Sequence, residues 1–172
     1  MFSLTAIILA SRSSIWNWPL GLIGQVFLFF LFFKNQLYGN MILQAYFTTT
    51  SLYGWSRWSK KEGKMIRNLS LSNSIILSII IVSLIATFGS ILTMFQPKYP
   101  YLDASVTILS MVAVLLMTHK VLESWYIWIL INVMCIVLYY LKGFYFLSIE
   151  YIFVLCIAVY GLTHWNRIYK AQ

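Results

Sequence analysis

Trp125, Trp128 and Asn132 are the residues whose types and spacing suit chemistry, and that chemistry is recognition, not bond-making. They stand at i, i+3 and i+7, so in a helix two indole rings and one carboxamide share a single face that suits a flat, polar ligand. An amide placed in hydrocarbon without a partner costs several kcal/mol, so Asn132 has to face protein, water or ligand. The plainer alternatives are an interfacial anchor for a tryptophan near a helix end and an interhelical hydrogen bond for the asparagine. Trp125 alone reads as such an anchor. Trp128 and Asn132, one and two turns deeper, read as ligand contacts.

Other polar side chains join the candidate site. Gln25 and Gln44 lie within apolar stretches, as do the run Thr48 to Ser51 and the pair Glu150 and Tyr151. Thr and Ser in such helices usually bond back to their own backbone or pack on a neighbour. Glu150 is a functional candidate because an acid inside an apolar segment is costly, although it could instead pair with Lys142. Cys135 and Cys156 sit in apolar runs without metal-ligand spacing and read as packing residues. His119 and His164 close hydrophobic segments and have no nucleophile to serve. No glycine-rich phosphate loop, HExxH or GxSxG is present, so neither an enzyme nor a cofactor or metal site is expected.

The elements that position these residues belong to a membrane. Of 172 residues, 61% are hydrophobic and 9% charged, and the mean hydropathy of +0.82 is not that of a soluble domain. The net charge of +8 sits in short loops and not in a basic domain, so it reports orientation in a lipid bilayer and not nucleic-acid binding. Residues 1 to 11 form a short apolar segment, about 16 Å as a helix against a hydrocarbon core of about 30 Å. It lacks the basic start and cleavage site of a signal peptide. Further spans are expected at about 18 to 33, 37 to 58, 72 to 95, 101 to 118, 122 to 141 and 145 to 166, which makes seven transmembrane helices in an all-α integral membrane fold. With the N-terminus outside, nine Lys and Arg residues fall on the cytoplasmic side and only Lys34, Lys98 and Lys142 on the outer side. The basic loop from Ser59 to Asn68 is then cytoplasmic, and the turn from Gln96 to Pro100 is outside. Trp165 reads as an interface anchor.

Shifting the chain by 107 positions lays Trp18 on Trp125, Gln25 on Asn132, Tyr38 on Tyr145, Tyr53 and Gly54 on Tyr160 and Gly161, and Trp58 on Trp165. This predicts two three-helix repeats, residues 1–58 and 101–172 with the C-terminal tail, joined by a cytoplasmic loop and linker helix over 59–100. The linker restores the direction of the second repeat, a 3+1+3 plan of parallel repeats used by small transporters that bind substrate where the halves meet. Gln25 and Asn132 are then expected at matching depth, approaching one another from both halves.

On Trp125-x-x-Trp128-x-x-x-Asn132, on Gln44-x-Tyr46-Phe47 leading into Tyr53-Gly54-Trp55-x-x-Trp58, and on Tyr160-Gly161-x-x-x-Trp165, the chain resembles the PnuC family of vitamin transporters. The resemblance runs from about residue 16 to residue 165. It implies a seven-helix core related to the SWEET sugar transporters, a homotrimer, facilitated diffusion of a nucleoside-like vitamin, and substrate contact by Trp125, Trp128 and Asn132. Nicotinamide riboside and thiamine both carry a cationic ring that indoles attract by about 0.5 to 2 kcal/mol when desolvated. A phosphate would want Arg or Lys, and none lies inside a span away from its ends. Nicotinamide riboside in a bacterial inner membrane is therefore the expected cargo. Thiamine or riboflavin transport, a SWEET-like sugar carrier and a non-transporting scaffold subunit are the alternatives.

Overall fold

The computed structural model describes residues 2–34, 38–60, 65–95 and 98–172. These form seven helices: α1 Phe2–Ser11, α2 Asn17–Lys34, α3 Tyr38–Ser59, α4 Leu71–Thr93, α5 Pro100–Thr118, α6 Glu123–Leu141 and α7 Tyr145–Lys170. All seven expected segments are helical. Lys61, Glu62 and Lys64 of the basic loop, and Gln96 and Pro97 of the expected turn, lie outside the described residues.

Local chemistry sets the ends. Ser70 caps α4 by accepting from the Asn73 N–H at 3.3 Å. Pro100 opens α5, where its missing N–H costs nothing. Gly143, at φ 80°, ends α6 in the left-handed conformation. The α1–α2 and α5–α6 turns also use this conformation, without glycine, at Ser13 (φ 56°) and Lys120 (φ 53°). In each turn the left-handed N–H donates three residues back and the next N–H five residues back, to Ala10 O and Leu9 O in one and Met117 O and Leu116 O in the other.

Five helices, α2, α4, α5, α6 and α7, are long and apolar enough to cross a membrane. The expectation of seven spans is met only in part at this level. α1 has ten residues, about 15 Å of helix. α3 has 22 but carries Gln44, the Thr48 to Ser51 run and Arg57. Among the described residues the helices close a ring in the order α1, α2, α3, α5, α6, α7 and back to α1, with α4 packed on α5 alone. Outward faces are apolar, as Phe27 and Phe30 on α2 and Phe146 and Phe153 on α7 illustrate.

At the end of the ring holding the α5–α6 turn, Trp18, Trp58, Trp125 and Trp165 form one aromatic cluster. Trp18 meets Trp58 edge-on at 5.3 Å, Trp58 meets Trp165 at 5.9 Å, and Trp165 meets Trp125 at 5.6 Å. The anchor readings of Trp125 and Trp165 are corrected here, since they are 1% and 0% exposed. For Trp125, as for Trp18, glycine makes the room: Gly54 and Gly161 have no Cβ, and a Cβ at either would lie 2.6 Å from the indole carbons of Trp18 or Trp125. The Trp165 Nε1 donates to Ala10 O at 3.1 Å, and the Trp58 Nε1 to Met117 O and Thr118 O at 3.2 and 3.1 Å. Lys120 bridges the same end, donating to Ser13 Oγ at 2.9 Å with its ammonium 4.4 Å above the Trp58 ring. Arg67 donates its backbone N–H to Lys120 O and accepts at its carbonyl from Leu122 N–H, which pins the segment before α4 to the α5–α6 turn. Glu123 adds a bond from Leu69 N at 3.0 Å.

Candidate functional site

A cavity of about 330 Å³ lies among α1, α5, α6 and α7, within the range of small-molecule sites. α6 supplies its main wall through Trp125, Trp128, Ile131, Asn132, Cys135 and Tyr139. These continue a single helical stripe, so the face expected from Trp125, Trp128 and Asn132 is the one that meets the cavity. From Trp125 to Tyr139 it runs about 21 Å along the helix axis. α7 faces it with Leu147, Glu150, Tyr151, Val154 and Ala158, while Ile7 and Ala10 of α1 and Val106, Ser110 and Met117 of α5 close the sides.

The two ends of the cavity differ. At one end Trp125 is wedged over Gly161 and against Trp165, so its ring is fixed. At the other the rings of Tyr139 and Tyr151 stack, 5.3 Å apart and 19° from parallel. Between them the wall offers donors without internal partners. Trp125 Nε1, Trp128 Nε1 and Asn132 Nδ2 are buried and make no hydrogen bond within the described residues. An unmet buried donor costs about 1 to 3 kcal/mol, which an acceptor on a ligand recovers. Among the described residues Glu150 is the one acid on the lining, and no Lys or Arg stands there. Lys142 instead pairs with Asp103 at 2.7 Å, so the alternative in which Lys142 neutralises Glu150 is corrected. The site therefore suits an aromatic, neutral or cationic molecule with hydrogen-bond acceptors.

Of the seven expected site residues, the structure gathers five at this cavity: Trp125, Trp128, Asn132, Glu150 and Tyr151. Gln25 and Gln44 do not line it. Gln25 donates from Nε2 to Ser51 Oγ at 3.0 Å, inside the α2–α3 pair. Among the described residues no hydrogen bond joins Gln25 to Asn132, whose Nδ2 has no partner. Thr49 and Thr50 bond back to Ala45 O and Tyr46 O, the ordinary use of such residues. Cys135 and Tyr139 were not expected at the site, though their spacing from Asn132 is the signal that carries them.

Comparison with known proteins agrees. Residues 1–167 match the profile of a family described as nicotinamide mononucleotide transporter. The nicotinamide riboside transporter PnuC of Escherichia coli (strain K12) is 32% identical over 91% of this chain and 78% of its own length. The riboflavin/roseoflavin transporter RibM of Streptomyces davaonensis is 22% identical over 96% of this chain and 81% of its own. A crystal structure of the vitamin B3 transporter PnuC superposes with a TM-score of 0.73 at 22% identity, covering 99% of this chain and 79% of that one. The fold is thus shared with a solved membrane transporter. With its apolar helices and its cavity, this multi-pass membrane protein belongs to the nicotinamide mononucleotide transporter family.

Proposed function

We propose that the chain carries a nucleoside-like vitamin, nicotinamide riboside foremost, across the bacterial inner membrane by facilitated diffusion. The observation that supports this best is the pairing of the unbonded indole and amide donors of Trp125, Trp128 and Asn132 with Glu150 in a cavity free of Lys and Arg. A pyridinium ring is attracted to indole faces and to a carboxylate, and a ribose supplies acceptors for the amide. The family description names the mononucleotide, but a phosphate would meet Glu150 and find no cation on the lining, so the nucleoside is the better fit. The name of the Escherichia coli relative supports the same cargo, and the riboflavin relative keeps flavins as the second reading.

In this reading all seven helices span, as a 3+1+3 arrangement of two three-helix units around the α4 linker. The support lies in features that recur at the offset of 107: left-handed Ser13 and Lys120, the same turn bonds, the Gly54–Trp18 and Gly161–Trp125 contacts, and indole bonds from Trp58 and Trp165 that each reach the opposite unit. Alternating access then proceeds by rocking one unit against the other. The basic end with its tryptophan cluster is cytoplasmic, by the charge bias. Assembly as a homotrimer, which the resemblance to the PnuC family implies, is part of the proposal.

Competition for uptake decides the cargo. Labelled nicotinamide riboside taken up by cells expressing the protein should be displaced by unlabelled nicotinamide riboside and not by the mononucleotide or by glucose. Displacement by riboflavin alone would transfer the assignment to flavins, and displacement by glucose would make it a sugar carrier.

A further inference from the structure

The cavity occupies one side of the helix ring, and one hydrogen bond on the other side has no counterpart there. On α2 the amide of Gln25 is engaged by Ser51 Oγ on α3, at 3.0 Å. At the offset of 107 that relates these helices to α6 and α7, Gln25 corresponds to Asn132 and Ser51 to Ala158. Ala158 is 1% exposed and lines the cavity. Asn132 is 2% exposed, and its Nδ2 has no partner among the described residues. One frame thus holds an amide whose N–H donor is engaged internally and a shorter amide whose donor is left open. At the position where α3 carries the accepting serine, α7 carries alanine.

We infer that Ala158 is a specificity-determining residue of the cavity: by lacking a hydroxyl, it leaves the Asn132 amide for a carbonyl or hydroxyl oxygen on the ligand. A serine at 158 offers the amide an internal acceptor with which a ligand must compete, and the donor no longer gains a bond when ligand arrives. This rests on the reading of the cavity as the site for a nucleoside-like vitamin. It adds a residue that touches the ligand weakly, if at all, yet sets which polar groups of the pocket are available.

The test uses the purified full chain in lipid nanodiscs and tritiated nicotinamide riboside. Wild type is measured first; if it does not bind, the proposed cargo fails and this inference falls with it. Given binding, Ala158→Ser should weaken it about tenfold without lowering the melting temperature, the size expected for one hydrogen bond. Ala158→Cys, close in volume but a poor hydrogen-bonding partner, should weaken it far less. Asn132→Gln combined with Ala158→Ser rebuilds the α2–α3 pair and should abolish binding, whereas Ser51→Ala should leave it unchanged. Equal losses from serine and cysteine would mean that volume alone matters, and wild-type affinity in Ala158→Ser would mean that the hydroxyl is irrelevant; either result overturns the inference. Should Ala158→Ser not fold, Asn132→Leu decides: it removes the open amide at similar volume and should weaken binding about tenfold, and wild-type affinity there overturns the inference.

Discussion

Two tryptophans three residues apart on α6 do different work. Trp125 is held on three sides, by Gly161, by Trp165 and by the cavity it bounds. Trp128 is only half-buried and is free to lie against a ligand ring. Trp128→Ala and Asn132→Ala should therefore each weaken nicotinamide riboside binding by about 1 to 3 kcal/mol, through lost stacking and a lost amide bond, with little change in melting temperature. Calorimetric titration of both variants checks this, and wild-type affinity in both would make the seam structural. Much of this wall was legible in the sequence, because helical spacing alone puts Trp125, Trp128 and Asn132 on one face. Gln25 was not legible as an internal bond, since its partner Ser51 lies on the next helix, and a one-dimensional pattern does not show which polar pairs meet.

At the scale of the element, contact between helices is set by what glycine leaves out. α7 approaches α6 closely enough at Gly161 that an added Cβ would sit 2.6 Å from the Trp125 ring, which is packed against Trp165 on one side and borders the cavity on another. Gly161→Ala should cost about 1 to 3 kcal/mol of stability by overpacking and also weaken ligand binding, because the displaced ring is part of the cavity wall. Trp165→Phe should lower stability by a similar amount, about 1 to 3 kcal/mol, through loss of the buried bond to Ala10 O, while leaving affinity nearly intact. Thermal unfolding and ligand titration on the same two proteins separate the effects. Helix positions were legible almost throughout, because hydropathy and the Pro and Gly punctuation mark them. The burial of Trp165 was not, since a tryptophan near a helix end reads the same whether it meets lipid headgroups or another indole.

For the whole molecule, the question is what drives movement of the cargo. A pump needs a power source, and the four acids are Glu62, Asp103, Glu123 and Glu150. Glu62 lies outside the described residues; among those described, Asp103 is paired with Lys142 and Glu123 accepts from Leu69 N, which leaves Glu150 as the acid at the cavity. One acid is thin provision for ion coupling, so purified protein in liposomes should bring labelled nicotinamide riboside to equal concentrations inside and out, and no further. Accumulation driven by a proton or sodium gradient and abolished by Glu150→Gln would instead make Glu150 a coupling residue. Orientation has its own test: in a background without Cys135 and Cys156, a cysteine at Lys98 should react with an impermeant maleimide on intact cells and one at Ser59 should not. The charge bias is what predicts this orientation; the one-sided cavity was not legible, because the repeat looks symmetric until its hydrogen bonds are compared.

The bond from Trp165 to Ala10 spans 155 positions of the chain, and translation makes its ends at different times. At about 5 to 20 residues per second, Ala10 leaves the ribosome roughly 8 to 30 s before Trp165 does. For that interval the Ala10 carbonyl lacks its indole donor, and α1 lacks the α7 neighbour on which it will finally rest. The ring of helices closes where α7 meets α1, so the nascent protein holds an open seam between them until α7 has been made.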